Sequence, residues 1–243
     1  MRTIVKTIIF SLAGIMIALI LGSAYKYKFR TEETISVTGM SEFNFVSDLI
    51  VWRGSFSKHS SDIKIAYQQL KEDEAKIKKY LVSKGVAENE IVFSSISIQK
   101  EFKDLFDKEG RIRGSEFTGY MLSQTVKVES RKIDIVEKVS REITELIESG
   151  IEFNSAEPLY YYTKLSSLKI DLLAKASADA RQRAETITQN SGCSLGSLKK
   201  ASMGIFQITG QNMDEDYSYG GAFNVSSKNK TATITIRMEF EVN

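Results

Sequence analysis

The chain is poor in the residues that build disulfides, metal sites and many active sites. Among its 243 residues it has one cysteine, one histidine and one proline. Because Cys193 is the only cysteine, no intrachain disulfide can form, which excludes a small scaffold held together by disulfides. One histidine and one cysteine also cannot supply the usual ligand set of a zinc site. We therefore expect neither a metal nor another cofactor.

An excess of basic charge is also missing from most of the chain. There are 33 Lys and Arg against 31 Asp and Glu, and five of the basic residues lie in the first thirty, which contain no acidic residue. Residues 31–243 therefore hold 28 basic and 31 acidic residues, a net charge of −3. Proteins that bind nucleic acid carry a basic surface that neutralises phosphates. We therefore expect no nucleic-acid partner.

What the chain does have is one long uncharged, apolar run near its beginning. The run is TIIFSLAGIMIALILGSA, the eighteen residues from Thr7 to Ala24. At a helical rise of about 1.5 Å per residue they cover roughly 27 Å, close to the ~30 Å apolar core of a bilayer. The run predicts one continuous membrane helix without tertiary contacts. We interpret residues 1–30 as a membrane anchor or signal segment and residues 31–243 as a soluble domain.

A cleaved secretory signal peptide is the alternative for this segment. The basic start, the apolar centre and the small residues Gly22-Ser23-Ala24 fit cleavage after Ala24. Against cleavage, the run is longer than a usual signal core of ~7–15 residues, and three cations follow it closely. Arg2, Lys6 and the terminal amine balance the three cations after the run, so charge does not determine the orientation in the membrane.

The rest of the chain alternates between helical and extended patterns. Apolar residues at helical spacing predict three helices, near 60–84, 131–148 and 165–191. The first begins after Ser60-Ser61-Asp62, which are good N-capping residues, and the third has a stripe that narrows from leucine to alanine. In the final run, 231–242, apolar and polar residues alternate strictly, which is typical of a strand with one face in water. The pattern predicts an α+β fold with three helices on one face of a mainly antiparallel sheet.

The expected order is two strands, helix, two strands, helix, strand, helix, two strands. The first strand should end at Gly39, and residues 43–57 should form a long, mostly buried strand. The charged segment 103–115, which contains two glycines, is expected to be an exposed turn or hairpin tip. The second helix should bury Ile143 and Ile147 on one stripe.

The search for catalytic groups is mostly negative. His59 lies at a predicted strand-to-helix junction, and we interpret it as an exposed loop residue, because a Ser/His/Asp site needs a partnered, shielded imidazole. Cys193 follows a helix end rather than a helix N-terminus, where a thiolate would be favoured, so we interpret it as a small buried apolar residue. We therefore expect no catalytic residue, no cofactor-binding residue, no metal ligand and no enzymatic activity.

Four other segments carry weaker signals. The pair Gly220-Gly221 is too short for a phosphate-binding loop. The acidic residues Asp214-Glu215-Asp216 could bind a cation but lack calcium-loop spacing, and an exposed hairpin tip over residues 209–227 is favoured. Glu72-Asp73-Glu74, among four lysines, is typical of an exposed helix face. The tyrosines 160–162 fit either a contact surface or a half-buried strand.

Two segments resemble the SIMPL-domain family. ETISVTGMSEFNFVSDLIVW, residues 33–52, is similar to the family's opening strand, Gly-x-Ser-Glu turn and long strand ending near a tryptophan. The alanine-rich segment 178–184, followed by SGCSLG at 191–196, is similar to its third helix and the Leu-Gly after it. The resemblance covers about residues 33–243, and only segment 209–227 departs from the pattern. It implies an extracytoplasmic bacterial protein with an N-terminal signal or anchor and, in some members, a large ring-like oligomer; the family has no established active site.

Two functional classes follow. The first is a membrane-anchored, periplasm-facing SIMPL-domain protein of non-catalytic interaction or assembly type, linked by the resemblance to envelope or oxidative stress. It would sit in the inner membrane through residues 7–24, or be secreted to the periplasm after cleavage, and form homo-oligomers; its protein partner is open. The second is a hydrolase or transferase that uses carboxylates and serines. It would require a deep pocket with converging acidic groups of perturbed pKa.

Overall fold

A computed structural model describes residues 2–28, 33–212 and 220–243; within the first stretch it describes the side chains of residues 11, 12 and 14–25. The chain forms two compact units. The larger unit holds Ser41–Leu173 and Ile205–Ile234, and the smaller unit holds Met1–Met40, Ala174–Gly204 and Thr235–Asn243.

The described residues form four α-helices, two short 3-10 helices and ten strands. The α-helices are α1 (Arg2–Lys28), α2 (Ile63–Ser83), α3 (Ile133–Glu142) and α4 (Leu165–Asn190), and the 3-10 helices are Glu88–Glu90 and Ile143–Ser149. The strands are β1 (Thr34–Val46), β2 (Leu49–Ser60), β3 (Ile91–Phe93), β4 (Ser97–Phe106), β5 (Ile112–Ser130), β6 (Phe153–Ser155), β7 (Leu159–Tyr161), β8 (Leu195–Met203), β9 (Gln207–Gly210) and β10 (Asn229–Val242).

The strands belong to two sheets rather than to one. In the six-stranded sheet, β5 pairs with β2, β3 and β4, while β2 also pairs with β6 and β7, always antiparallel. In the four-stranded sheet, β10 lies between β1 and β8 and also pairs with β9. The pairings of β10 with β8 and β9 are antiparallel. The α+β fold with antiparallel sheets is confirmed, whereas a single sheet with all three later helices on one face is wrong.

The core of the larger unit lies between the six-stranded sheet and two helices. Helices α2 and α3 pack against β2 and β5. Trp52 of β2 is fully buried, its indole N–H donates to the Ser155 hydroxyl at 3.0 Å, and its ring stacks on Phe153 at 5.7 Å. Gly54 keeps the space that the Phe153 ring occupies, since a Cβ there would lie 2.1 Å from the ring. The aromatic pattern that predicted a buried strand therefore marks the centre of this core.

The predicted strand over residues 43–57 is in fact interrupted. β1 ends at Val46 and β2 begins at Leu49. The Asp48 carboxylate accepts hydrogen bonds from the Thr163 backbone N–H and hydroxyl, both at 2.7 Å. These contacts are made across 115 positions of sequence, so the local aromatic pattern could not indicate the break.

In the smaller unit, Gly39 permits a close helix contact instead of ending a strand. β1 continues through Gly39 to Val46, which corrects the predicted end. A Cβ on Gly39 would lie 2.2 Å from the Ala176 carbonyl oxygen and 2.7 Å from the Ala180 Cβ. Ala176, Ala180 and Ala184 are fully buried, as the narrowing stripe predicted. Gly39 on β1 and the alanines on α4 thus together allow the strand and the helix to pack closely.

The second predicted helix changes type part of the way along. α3 ends at Glu142, and residues 143–149 continue as a 3-10 helix that closes at Gly150, whose φ is +73°. A 3-10 helix has three residues per turn, so buried positions repeat at i and i+3. Ile143 and Leu146 are accordingly buried and Ile147 is exposed, which corrects the expectation that Ile147 faces the core.

The N-terminal run forms part of one continuous helix, α1. Its described side chains, residues 11, 12 and 14–25, are exposed. In the part of the chain that the structure describes, no helix meets the length and apolarity needed to span a bilayer.

Candidate functional site: an exposed β-arm

The longest hairpin of the larger unit extends past the strand that supports it. β4 and β5 pair from Ser97–Ser123 to Phe106–Ile112. β2 stops at Ser60, opposite Tyr120. Residues 101–119 are therefore a two-stranded ribbon with no third strand among the described residues, and we call them the β-arm. The predicted hairpin tip is confirmed, but its turn is only residues 107–111 and both strands run into the charged segment.

Large apolar side chains are exposed along this hairpin. Phe106 and Ile112 are each 63% exposed, and Phe102 and Ile98 are 57% and 56% exposed. Leu105 and Phe117 are also exposed. Single exposed apolar residues are normal on a protein surface, but a contiguous cluster marks an interaction site. The β-arm is the candidate binding surface of this protein.

Local contacts hold the β-arm in shape. The Phe117 ring packs edge-on against Phe102 at 5.8 Å and against Tyr120 at 5.1 Å. At the tip, the Asp107 carboxylate accepts from the Arg111 backbone N–H at 2.9 Å and from the Glu109 backbone N–H at 3.0 Å. The Arg111 backbone hydrogen bond is the main cause that lowers the pKa of Asp107. Hydrogen bonds within the hairpin itself, accepted by the ionised Asp107 carboxylate, therefore fix the turn.

The single histidine lies at the base of the β-arm. His59 is on strand β2, opposite Met121, and not in a loop as predicted. Its Nε2 is 3.2 Å from Glu101, and its side chain is 47% exposed. Gly119 leaves room for the ring, because a Cβ there would lie 2.7 Å from the same nitrogen. His59 therefore has a structural neighbour in the β-arm rather than the shielded Ser/Asp surroundings of a catalytic triad.

The other candidates from the sequence lie apart from the β-arm. Cys193 is exposed, which corrects its predicted burial: it follows the end of α4 in the turn before β8. Asp73 was expected on an exposed helix face, but it is 4% exposed and lies 2.9 Å from the Lys58 Nζ. Tyr160 donates to Glu137 at 2.9 Å, and Tyr162 packs on Phe45. The acidic cluster at 214–216 lies outside the described residues.

Two cavities among the described residues are lined by carboxylates, and each of these carboxylates already has a hydrogen-bond or ion-pair partner within its own unit. In the smaller unit, a cavity of about 620 Å³ lies beside Asp179, which accepts from the Met40 N–H and from Arg183 Nε, both at 2.9 Å. In the larger unit, a cavity of about 680 Å³ near the N-terminus of α3 is lined by residues of both charges, the acidic Asp48 and Asp134 and the basic Arg131, Lys132, Lys164 and Lys228. Asp48 accepts two hydrogen bonds from Thr163, and Asp134 lies 2.6 Å from the Lys228 Nζ.

The carboxyl groups with perturbed pKa are shifted in the direction that keeps them ionised. Hydrogen bonds lower the pKa of Asp179, chiefly from the Met40 N–H, and that of Glu145, chiefly from Lys84. Lys199 likewise lowers the pKa of Glu241. A carboxyl that acts as a general acid needs its pKa raised toward neutrality. In the part of the chain that the structure describes, no group of three or more potential metal ligands is present.

Comparison with known proteins shows which family the chain belongs to. A family model described as "SIMPL: Protein of unknown function (DUF541)" matches residues 35–242. The chain belongs to the SIMPL family, as its two sequence segments indicated. No curated protein matches the chain at a significant level.

For the β-arm, the sequence predicts an exposed turn or hairpin tip over residues 103–115 but not the two strands that lead into it. Phe102, Phe106 and Ile112 lie in or beside a charged segment with two glycines, and charge and glycine dominated the prediction. The available signal was the alternation of apolar and charged residues on the way into the turn. Alternation of this kind is typical of strands, and it would have extended both strands by several residues.

Proposed function

We propose that this SIMPL-family protein is a non-catalytic interaction protein of the bacterial cell envelope. It is held at the inner membrane by residues 7–24, with its soluble domain in the periplasm, and it binds its partner through the β-arm. The observation that carries the proposal is the exposed apolar surface of the β-arm, formed by Phe102, Phe106 and Ile112, which Ile98 extends at the base of β4.

The energetics of a two-stranded ribbon support a bound partner. An isolated ribbon in water is only marginally stable, because each strand has one unpaired edge and neither face is covered. Each apolar residue that leaves water contributes about 1.5–3 kcal/mol when it becomes fully buried. Four such side chains are more than half exposed on this hairpin. A partner that covers them would stabilise the β-arm and gain binding energy from the same contacts.

The membrane location rests on the sequence run and on the family. Eighteen uncharged residues from Thr7 to Ala24 are long enough for a bilayer core. Their helical conformation leaves no backbone group of the run without an internal partner, as an apolar environment requires. Cleavage after Ala24, with release into the periplasm, is the alternative.

The non-catalytic role is supported by the chemistry of the described residues. The His59 imidazole is not shielded and the exposed Cys193 thiol is not at a helix N-terminus, so neither has the surroundings of a catalytic group. Carboxyl groups with a shifted pKa, such as Asp179, have it lowered, which favours the ionised form rather than a general acid. The hydrolase or transferase alternative would need a raised carboxyl pKa in a deep pocket. No described carboxyl carries such an upward shift.

The experiment compares the size of full-length variants extracted from membranes in mild detergent. Phe106→Ser combined with Ile112→Ser makes the β-arm polar, and Ile170→Ser removes an equally exposed apolar residue elsewhere, on α4. We expect wild type and Ile170→Ser to migrate as complexes larger than one chain, and the double variant to migrate as a single chain with unchanged circular dichroism. Complexes of equal size in all three proteins would refute the role of the β-arm.

A further inference from the structure

We propose that the partner of the β-arm is the β-arm of a second copy, joined by antiparallel pairing of the two β4 strands about Phe102. This inference rests on the proposed function, since it names the partner of the same surface. Three features of β4 carry it: an open edge, a regular backbone and a sequence that is complementary to itself.

The outer edge of β4 is available for pairing. Within the part of the chain that the structure describes, β4 forms ladder hydrogen bonds with β5 only, along one of its two edges. Natural proteins usually protect such an edge with proline, charged side chains, bulges, a covering loop or a very short strand. β4 has ten residues and no proline, and its four charged residues are two of each sign, so they repel a strand of one charge but can pair with a strand of the same mixed sequence. An exposed strand edge of this length is a template for one more strand.

The backbone of β4 is also regular. The ladder between β4 and β5 has two irregularities, and in both the extra residue belongs to β5. Glu101 and Phe102 face Gly119 and Phe117, so Thr118 is skipped, and Leu105 and Phe106 face Gly114 and Ile112. The side chains of β4 therefore alternate between the two faces without interruption. Ile98, Phe102 and Phe106 share one face with Lys100 and Asp104.

The sequence of β4 is complementary to itself in the antiparallel direction. When Phe102 faces Phe102 of a second copy, Lys100 faces Asp104 and Glu101 faces Lys103. Ile98 then faces Phe106, and Gln99 faces Leu105. Because the two-fold axis passes through the Phe102 pair, that pair occurs once and each of the other pairs occurs twice. The interface would contain four oppositely charged pairs and three apolar pairs, with no like charges opposite each other.

When the two-fold axis passes through a neighbouring residue instead of Phe102, opposite charges and apolar residues no longer face each other. Centring on Lys103 places Lys103 opposite itself, and it also places Lys100 opposite Phe106. Centring on Glu101 places Glu101 opposite itself and Lys100 opposite Phe102. Like charges directly opposite each other on adjacent strands are destabilising. The alternation of charged and apolar residues on the same face also makes this edge a better match for a second β4 than for a lipid surface.

Cross-linking through single cysteines tests the register. The background is the full-length protein with Cys193→Ser, because Cys193 is exposed. Opposing residues of antiparallel strands have Cα atoms about 4.5–5.5 Å apart, which is within the range of a disulfide. Phe102→Cys should therefore form dimers under mild oxidation. Ile98→Cys alone should not, because the two copies of residue 98 would be eight residues apart along the ladder, roughly 26 Å. A mixture of Ile98→Cys and Phe106→Cys chains should form the heterodimer.

A charge swap tests the same pairing without cysteine. Lys100→Asp places two aspartates opposite each other, twice in the dimer, and should shift the dimer dissociation constant upward by about tenfold or more. Adding Asp104→Lys restores opposite charges and should restore wild-type affinity. Neither Lys100 nor Asp104 has an ion-pair partner among the described residues, so the swap changes little within one chain.

The outcomes separate this inference from the proposed function. Cross-linking at Phe102→Cys with rescue by the charge swap supports pairing of two copies. If the polar β-arm variant loses its complexes but Phe102→Cys fails to cross-link and the swap fails to rescue, the β-arm binds another protein and self-pairing is refuted. If the polar variant loses nothing, the proposed function fails as well. Equal cross-linking by Ile98→Cys alone would refute the register.

Discussion

At the scale of residues, the two segments that resemble the family contain residues that pack β1 against α4. Gly39 of the first segment gives α4 room to approach β1, and the Asp179 carboxylate of the second segment accepts from the Met40 N–H at 2.9 Å. Arg183, one turn further along, also donates to Asp179. These residues are recognisable in the sequence because a close strand–helix contact tolerates few alternatives. Packing of β1 against α4 therefore accounts for their pattern.

The first prediction concerns the alanines of α4. Ala180→Leu should destabilise the protein by roughly 1–3 kcal/mol, because the larger side chain has no room beside Gly39. Ala178→Leu is the matched control: it adds the same side chain two positions away, where the residue is exposed, and should change stability by at most about 0.5 kcal/mol. Urea melts of the two variants make the comparison. Equal midpoints would contradict a tight contact at Ala180.

A second prediction uses the pH dependence of Tyr160. Burial, together with its hydrogen bond to Glu137, raises the pKa of Tyr160 to about 12 in the folded protein, whereas tyrosine in an unfolded chain titrates near 10. The folded state therefore keeps a proton that the unfolded state loses above about pH 10. The stabilising contribution of Tyr160 should be complete below pH 10 and disappear as the pH rises through about 12.

Thermal melts between pH 9 and 12 test whether the stabilising contribution of Tyr160 decreases as the pH rises. The stability difference between wild type and Tyr160→Phe should shrink over that interval. If the stability difference between wild type and Tyr160→Phe grows with pH, the pKa of Tyr160 is not raised in the folded protein.

At the scale of elements, the β-arm differs from the strands of the core. β2 is paired along both of its edges and holds Trp52 and Ile50, both fully buried, whereas residues 101–119 are paired only with each other. Stability is distributed unevenly in such a structure, and a ribbon with few buried contacts opens at low cost. The β-arm is therefore the element whose order should depend most on a partner.

The third prediction is measured by hydrogen exchange. In the Lys100→Asp variant, which should not self-associate, amides of the β-arm should exchange much faster than those of β2 and of residues 120–130 of β5. In the Lys100→Asp, Asp104→Lys double variant, amides of β4 should regain protection. Equal exchange of the β-arm in both variants would show that no partner strand covers it.

At the scale of the whole molecule, the proposed membrane anchor at residues 7–24 would favour the proposed pairing of two β-arms. A membrane anchor confines the chains to a surface and raises their local concentration. A modest affinity between two β-arms can then suffice for assembly. The same β-arm on a released domain would face a much lower concentration of partners.

The fourth prediction concerns the anchor. The intact protein should remain in the membrane fraction after washing with carbonate, and removal of residues 1–24 should release it into the soluble fraction. The released domain should form dimers only at higher protein concentration than the anchored protein. A mature N-terminus at Tyr25 would instead establish cleavage and release.

The sequence by itself determined the elements whose patterns are local. Periodicity located α2, α3 and α4 within a few residues, strict alternation located β10, and Asp62 caps α2 through the Lys64 N–H as its residue type indicates. Short strands such as β3, β6 and β9, with three or four residues, are too brief to show a period. Two residue segments also sufficed to identify the family, because close packing constrains residue type strongly.

Only the tertiary structure decided how these elements are used. The break at Asp48, the burial of Asp73 beside Lys58 and the continuation of β1 through Gly39 all depend on partners far away in sequence. The β-arm begins where β2 stops, and Phe102 and Phe106 are exposed because no described element covers the face of the ribbon from which they project. Burial is a property of what lies opposite a side chain, and a single sequence does not contain that information.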